Sequence, residues 1–171
     1  MKKQTLANLS KKSISIHPTT LPIFNIFNNH ISPHLSDDDE KLQFLFEISR
    51  PTLFVKQEHN LQQLNNFEIF RRLKSYDNEL IAQEVYYVLI EKEEYPINQC
   101  LFELFQTVSL NYRELDLRVI YQALKSILDD NDNPLKISDK CFSKETFSQM
   151  IGISVETLHR RISSQVSNKE E

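Results

Sequence analysis

The chain holds a single glycine, Gly152, among 171 residues, where average usage of roughly 7% would place about twelve. That scarcity excludes functions resting on a glycine-rich phosphate loop, the P-loop and the dinucleotide fingerprint alike, because each needs several glycines close together. Collagen-like and glycine-linker readings fall with it. Tryptophan is absent, and the two cysteines, Cys100 and Cys141, stand in unrelated contexts without metal-ligand spacing, so two reduced thiols are expected. No apolar run approaches the roughly 20 residues needed to cross a bilayer. The opening Met1-Lys2-Lys3-Gln4-Thr5 is basic, but polar residues and Lys11-Lys12 interrupt any signal-peptide core. A soluble, cytoplasmic protein without a membrane partner is expected, and its one glycine needs a reason.

What is present suffices for a core. Apolar residues make up 40% of the chain and charged residues 26%, with eleven Phe and six Tyr carrying much of the bulk, so global disorder is not expected. The length suits one domain or two small ones. The formal net charge of −4 is unevenly spread. Residues 1–76 carry ten Lys and Arg against seven Asp and Glu, residues 77–132 four against twelve, and residues 133–171 six against five. The acid sits in the middle and the flanks are mildly basic, and binding answers to the local field rather than the total.

Along the chain, residues 1–12 read as a flexible polar arm. Ser13-Ile14-Ser15-Ile16 alternates like a short strand that His17-Pro18 ends. Residues 17–35, with three prolines and apolar pairs, read as irregular but packed. Ser36-Asp37-Asp38-Asp39 is an N-cap and acidic first turn for a helix to Ile48, with Leu42, Leu45 and Phe46 in its stripe. That role suits the Asp run better than a metal site. Pro51–Val55 and Leu61–Leu64 read as strands around a turn at Glu58-His59-Asn60. Asn65-Asn66 is a turn, Phe67–Tyr76 a helix, and Ile81–Ile90 the strongest strand. This order indicates a small α+β layer over residues 13–95.

After Tyr95-Pro96 the apolar spacing turns helical, over Leu101–Val108 and again over Leu115–Leu128. The run Asp129–Pro134 lacks the glycine and the closing glutamate of a calcium loop, and reads as a solvated linker. From Ser143 to Ser163 the chain reads SKETFSQMIGISVETLHRRIS. Ser143 caps a first helix with Phe147, Met150 and Ile151 inward. Gly152 ends it where a left-handed backbone is wanted. Ser154 caps a second helix from Val155 to Ser163, with Leu158 and Ile162 inward. Two short helices joined by a glycine turn are the helix-turn-helix arrangement. The second helix is expected in a major groove, with Lys144, Ser154, Glu156, Thr157, His159, Arg160 and Arg161 as candidate DNA contacts.

The order of elements over roughly residues 13–163 resembles the ParB family of partition proteins. Ser36–Ile48 with Pro51–Val55 resembles the family's first helix and strand. Leu61–Lys74 (LQQLNNFEIFRRLK) is similar to the segment around its GERRxRA box, and Leu101–Glu114 (LFELFQTVSLNYRE) to its ENxQR segment, with Glu103, Gln106, Leu110 and Glu114 matching. The resemblance implies an α+β fold with a small mixed N-terminal layer, a helical region over 96–165 holding the helix-turn-helix, and a polar tail over 166–171. It also implies CTP and magnesium, held here by Arg71, Arg72 and Glu103. The boxes depart from the family at Asn66 for glycine, Glu68-Ile69 for an arginine pair, and Leu104 and Thr107 for asparagine and arginine. DNA binding kept and the nucleotide cofactor lost is the expectation. The family's C-terminal dimerisation domain has no counterpart after residue 163, so any homodimer is expected to form through the N-terminal layer or the long helix.

The leading expectation is a nucleoid-associated DNA-binding protein, a transcriptional regulator or partition-type factor of a plasmid or other mobile element, with double-stranded DNA as partner. The alternative is an adaptor or inhibitor that binds protein, docking its acidic segment 77–132 on a basic partner or mimicking nucleic acid. An enzyme is not expected, since no paired carboxylates with a positioned histidine, Cys/His constellation or metal cluster is found.

Overall fold

Two runs of β-branched and aromatic residues, Thr52–Val55 and Val85–Ile90, lie at the centre of one sheet, and the apolar stripes after residue 98 build helices. The computed structural model describes residues 1–35, 51–75, 84–90, 98–130, 135, 137 and 141–167. In chain order the elements are β1 (Lys2–Thr5), α1 (Leu6–Ser10), β2 (Ser13–Ile16), α2 (Leu21–Ile26), β3 (Thr52–Gln57), β4 (Asn60–Gln63), α3 (Phe67–Ser75), β5 (Glu84–Ile90), α4 (Gln99–Asn111), α5 (Leu117–Leu128), α6 (Lys144–Met150) and α7 (Val155–Ser167). The expected α+β class is what forms. The helix expected over 36–48, linker residues 131–134 and the tail from 168 lie outside the described residues.

Two compact units form, one drawn from Met1–Leu21 and Ser36–Cys100, the other from Pro22–Leu35 and Leu101–Glu171. The first holds a five-stranded mixed sheet in the order β1-β5-β3-β4-β2. β3 and β4 are an antiparallel hairpin, β3 and β5 are parallel, β2 joins β4 in parallel, and β1 joins β5 antiparallel. One face packs Phe54, Leu61, Val85 and Tyr87 with Leu9, Ile14 and Ile69, and Phe70 and Leu73 of α3 close over it. The Phe54 and Tyr87 rings meet edge to face at 5.9 Å. The opposite face carries Leu53, Val55 and Leu64 with Val88 and Ile90.

Residues 2–10, expected as a flexible arm, are structured. β1 pairs through its backbone from Lys2 opposite Tyr87 to Thr5 opposite Glu84, and Leu9 of α1 is fully buried. A polar edge strand is paired through its main chain whatever its side chains, so it shows no apolar alternation to read. Residues 17–35, expected as irregular chain, are a string of helical turns around α2, and their Ile23, Ile26, Phe27 and Ile31 are buried in the second unit.

The turn between β4 and α3 is fastened by buried amides. Asn65, fully buried, accepts the Leu53 N–H on Oδ1 at 2.7 Å and donates to the Pro51 carbonyl at 3.4 Å. Gln63 Nε2 donates to the Asn65 and Asn66 carbonyls at 2.8 and 2.7 Å, and Asn66 Nδ2 donates to Thr52 Oγ1 at 3.2 Å. Asn66 has φ 56°, the left-handed region that asparagine tolerates better than most residues. The backbone thus keeps at Asn66 a conformation that glycine would also serve. Replacing Asn65 by Ala strands the Leu53 N–H in the interior, and an equilibrium denaturant titration is expected to show a loss of about 2 kcal/mol.

Candidate nucleic-acid interface

Four aromatic rings seat the helical pair. Phe147 of α6 lies 6.3 Å from Phe105 of α4, 5.7 Å from Tyr121 of α5 and 6.0 Å from Phe142, centroid to centroid. Phe142 is in turn 5.8 Å from Tyr121. Aromatic side chains bury large areas each, and offset or edge contacts at these distances add to that burial. The approach to α6 is fixed by charge as well. Asp129, at the end of α5, accepts the Phe142 N–H at 2.7 Å and the Lys125 ammonium at 2.5 Å, while Lys125 also donates to the Phe142 carbonyl at 3.2 Å. These bonds, the Lys125 contact first, hold the Asp129 carboxyl below its usual range.

Each helix of the pair starts at a serine cap. Ser143 Oγ accepts the Thr146 N–H at 3.0 Å, and Ser154 Oγ the Thr157 N–H at 3.1 Å. Between them, Gly152 has φ 70°. Its N–H donates to the Gln149 carbonyl at 3.2 Å, and the Ile153 N–H reaches back to the Ser148 carbonyl at 3.0 Å, the paired bonds of a Schellman turn. A β-carbon at Gly152 would meet Ser109 Oγ at 3.8 Å, an ordinary contact. Backbone conformation, then, and not lack of space, selects glycine. Ser148, fully buried, returns its hydroxyl to the Glu145 carbonyl at 2.9 Å.

Helix α7 packs on α5 and α6, with Leu158 fully buried and Ile162 half-buried. Ser154, Glu156, His159 and Arg160 are exposed, and Thr157 is half-buried. The hydroxyls of Ser154 and Thr157 lie 2.8 Å apart and share a hydrogen bond. Arg160 stands 3.6 Å from Glu156, with side chains 74% and 87% exposed. Such a solvated pair is worth little and opens at little cost. Lys144 opens α6, half-buried. Arg161 turns the other way. Its Nη2 donates to the Tyr112 carbonyl at 3.0 Å and, at shorter range, to that of Arg113, tying α7 to the turn between α4 and α5. That tie brings the exposed Arg113 beside α7, a cation that sequence reasoning passed over because it lies in the acidic middle of the chain and 48 residues from Arg161.

The residues of the nucleotide-box resemblance do not fit a triphosphate. In the first unit, Glu68 takes the Arg71 Nε and Nη2 at 3.0 and 2.7 Å and the Arg72 Nε at 3.0 Å, so one carboxylate occupies both guanidinium groups. In the second unit Leu104 is buried in the core, and Glu103 is half-buried with its carbonyl accepting the Thr107 hydroxyl at 2.9 Å. Among the described residues no three His, Cys, Asp or Glu side chains are grouped to hold a metal ion, and no helix is long and apolar enough to cross a membrane.

No family model matches the chain, and no curated protein matches it significantly. A solved chain with some likeness is the C-terminally truncated chromosome-partitioning protein ParB from Caulobacter crescentus, complexed to the centromeric parS site. The two share 13% identity over 95% of this chain and 70% of that one, with a TM-score of 0.41. A likeness of that size carries neither fold nor function across.

Two outcomes follow from this geometry. Arg161→Ala is expected to lower stability by about 1–2 kcal/mol through the lost charged hydrogen bonds, read by thermal or denaturant melting. Asp129 has a folded pKa below its unfolded value, so its grip on Phe142 is at full strength above pH ~4 and is lost as pH falls through the lowered value. Amide exchange at Phe142, corrected for its intrinsic pH dependence, should lose protection over that acid range. In Asp129→Ala the protection should already be reduced at neutral pH.

Proposed function

We propose that the chain is a DNA-binding protein that inserts α7 into the major groove. The observation that carries this reading is a helix with one face buried on its own scaffold, Glu156, His159 and Arg160 exposed away from it, and Ser154 with the half-buried Thr157 at its N-terminal end. It is presented after a glycine turn that sets the angle between α6 and α7. An α-helix fits the major groove, and the residues at its N-terminal end reach base edges when the preceding helix crosses the backbone. Ser154 and Thr157 stand at that end. Arg160, solvated and weakly paired, contacts phosphate, and so do Lys144 at the start of α6 and Arg113 in the neighbouring turn. Arg161 acts indirectly, by fixing the position of α7.

In this reading the scaffold is a ParB-like one whose nucleotide boxes are no longer built for a triphosphate. Its role is that of a partition-type factor or transcriptional regulator carried by a plasmid or other mobile element. The chain performs no catalytic step. Its contribution is positioning, with the buried rings and the Gly152 turn presenting a preformed helix so that little conformational entropy is lost on binding.

The test is selection of genomic fragments by the purified protein, sequenced and repeated with and without CTP. The expected result is a recurring sequence element, equally enriched in both arms. Arg160→Ala should weaken binding to selected and unselected duplexes alike and reduce the salt slope by about 1. Thr157→Ala should instead cost about 1–3 kcal/mol on the selected element alone. Fragments recovered at random, with Thr157→Ala and Arg160→Ala both neutral, would refute the assignment.

A further inference from the structure

The first unit carries a second cationic surface. Two open grooves, of about 730 and 480 Å³, adjoin at Lys2, Lys12 and Tyr87. Lys3 and Glu84 also line the first, and Lys11, Lys56 and Glu58 the second. Five lysines thus converge from three separate segments, namely β1, the turn after α1, and β3, against two carboxylates. One of those, Glu84, is held by Lys3. Lys2, Lys11 and Lys56 are exposed and, among the described residues, lie within ion-pair reach of no carboxylate. Lys12 donates to Gln4 Oε1 at 3.2 Å and sits 5.6 Å from the Tyr87 ring centre.

Like charges in excess of their counter-charges repel one another, so, with five lysines against two carboxylates among the described residues, this cluster is costly to the fold unless an anion offsets it. The arrangement says which kind. A small anion is held by converging, buried donors, whereas these ammonium groups stand exposed on flexible stems along an open track. Lys2 is opposite Tyr87 and Tyr87 opposite Thr52, with Lys56 further along the same strand as Thr52. From strand geometry the backbones of Lys2 and Lys56 stand roughly 16 Å apart. That span is comparable with several successive backbone phosphates, which follow at about 3.4 Å of helix axis per nucleotide on each strand.

We infer that this face of the first unit binds the phosphate backbone of duplex DNA without reading its sequence. The contact is distinct from the one proposed for α7 and stands whether or not α7 enters a groove. It would hold the protein on DNA electrostatically and steer its encounter with it, in a strongly salt-dependent way.

The test uses the full chain and fluorescence anisotropy on a short duplex of arbitrary sequence, titrated across a series of salt concentrations. The wild type is compared with Lys2→Gln/Lys11→Gln/Lys56→Gln and with Arg160→Ala. The triple variant is expected to melt like the wild type, to bind at least about tenfold more weakly at low salt, and to lose about 2–3 from the salt slope, at about 0.9 per phosphate contact. Lys56→Gln alone, with a slope change of about 0.9, gives the same readout if the triple variant melts early. Unchanged affinity and slope in the lysine variants overturn the inference, even where Arg160→Ala loses binding. The converse pattern, lysine variants weakened and Arg160→Ala neutral, leaves it standing while removing support for α7. Binding of polyglutamate that the triple variant loses, with duplex binding kept, would also overturn it and point to an acidic protein partner.

Discussion

The packing of Phe147 among Phe105, Tyr121 and Phe142 is the contact on which the proposed interface depends. It joins α4, α5, α6 and the segment before α6 in one aromatic cluster. Everything that presents α7 follows from it. With Phe147 seated, Ser143 can cap α6, the Schellman bonds at Gly152 can close, and Leu158 finds a buried site. Rings of this size resist displacement because removing one leaves a cavity that neighbours only partly fill. A rigid platform is what a groove-reading helix needs, since its few contacts gain nothing if the helix must first be ordered.

Charge is then divided by task. Arg161 bonds backbone carbonyls, and Lys125 and Asp129 bond the Phe142 backbone and each other, so these charges hold the fold together. Arg71 and Arg72 share the carboxylate of Glu68. Arg160, Lys2, Lys11 and Lys56 remain solvated. Attraction to a polyanion comes most readily from charges of this second kind, because a guanidinium fixed on backbone carbonyls is less free to follow a phosphate. The net acidity of the chain does not oppose this, since screening confines each charge to about 10 Å at moderate ionic strength.

Much of this was legible in the sequence, for physical reasons. The alternation of Ser13–Ile16, the β-branched run at Thr52–Val55 and the apolar stripe of Leu117–Leu128 each state their own period, and each formed the element expected. Gly152 and its flanking serines were legible because a helix end asks for particular backbone chemistry. β1 was not, because an edge strand of polar residues is held by main-chain bonds that leave no side-chain pattern. The roles of Arg161 and Arg113 were equally hidden. Arg161 and Arg160 are neighbours of the same type, and only the fold shows that one points to the Tyr112 carbonyl and the other to solvent. The convergence of Lys2, Lys12 and Lys56 is likewise a product of strand order, β1 reaching β3 through β5, which no local window contains.

Insertion of α7 into the major groove, as proposed, has a chemical signature. Methylation protection on a fragment selected by the protein tests it most directly, since dimethyl sulfate attacks guanine N7 in the major groove and adenine N3 in the minor groove. The expected result is protection of guanine N7 over a few adjacent base pairs, lost in Thr157→Ala at concentrations where the Lys56→Gln variant still protects. Protection confined to adenine N3, or guanine N7 left fully reactive under saturating protein, would contradict it.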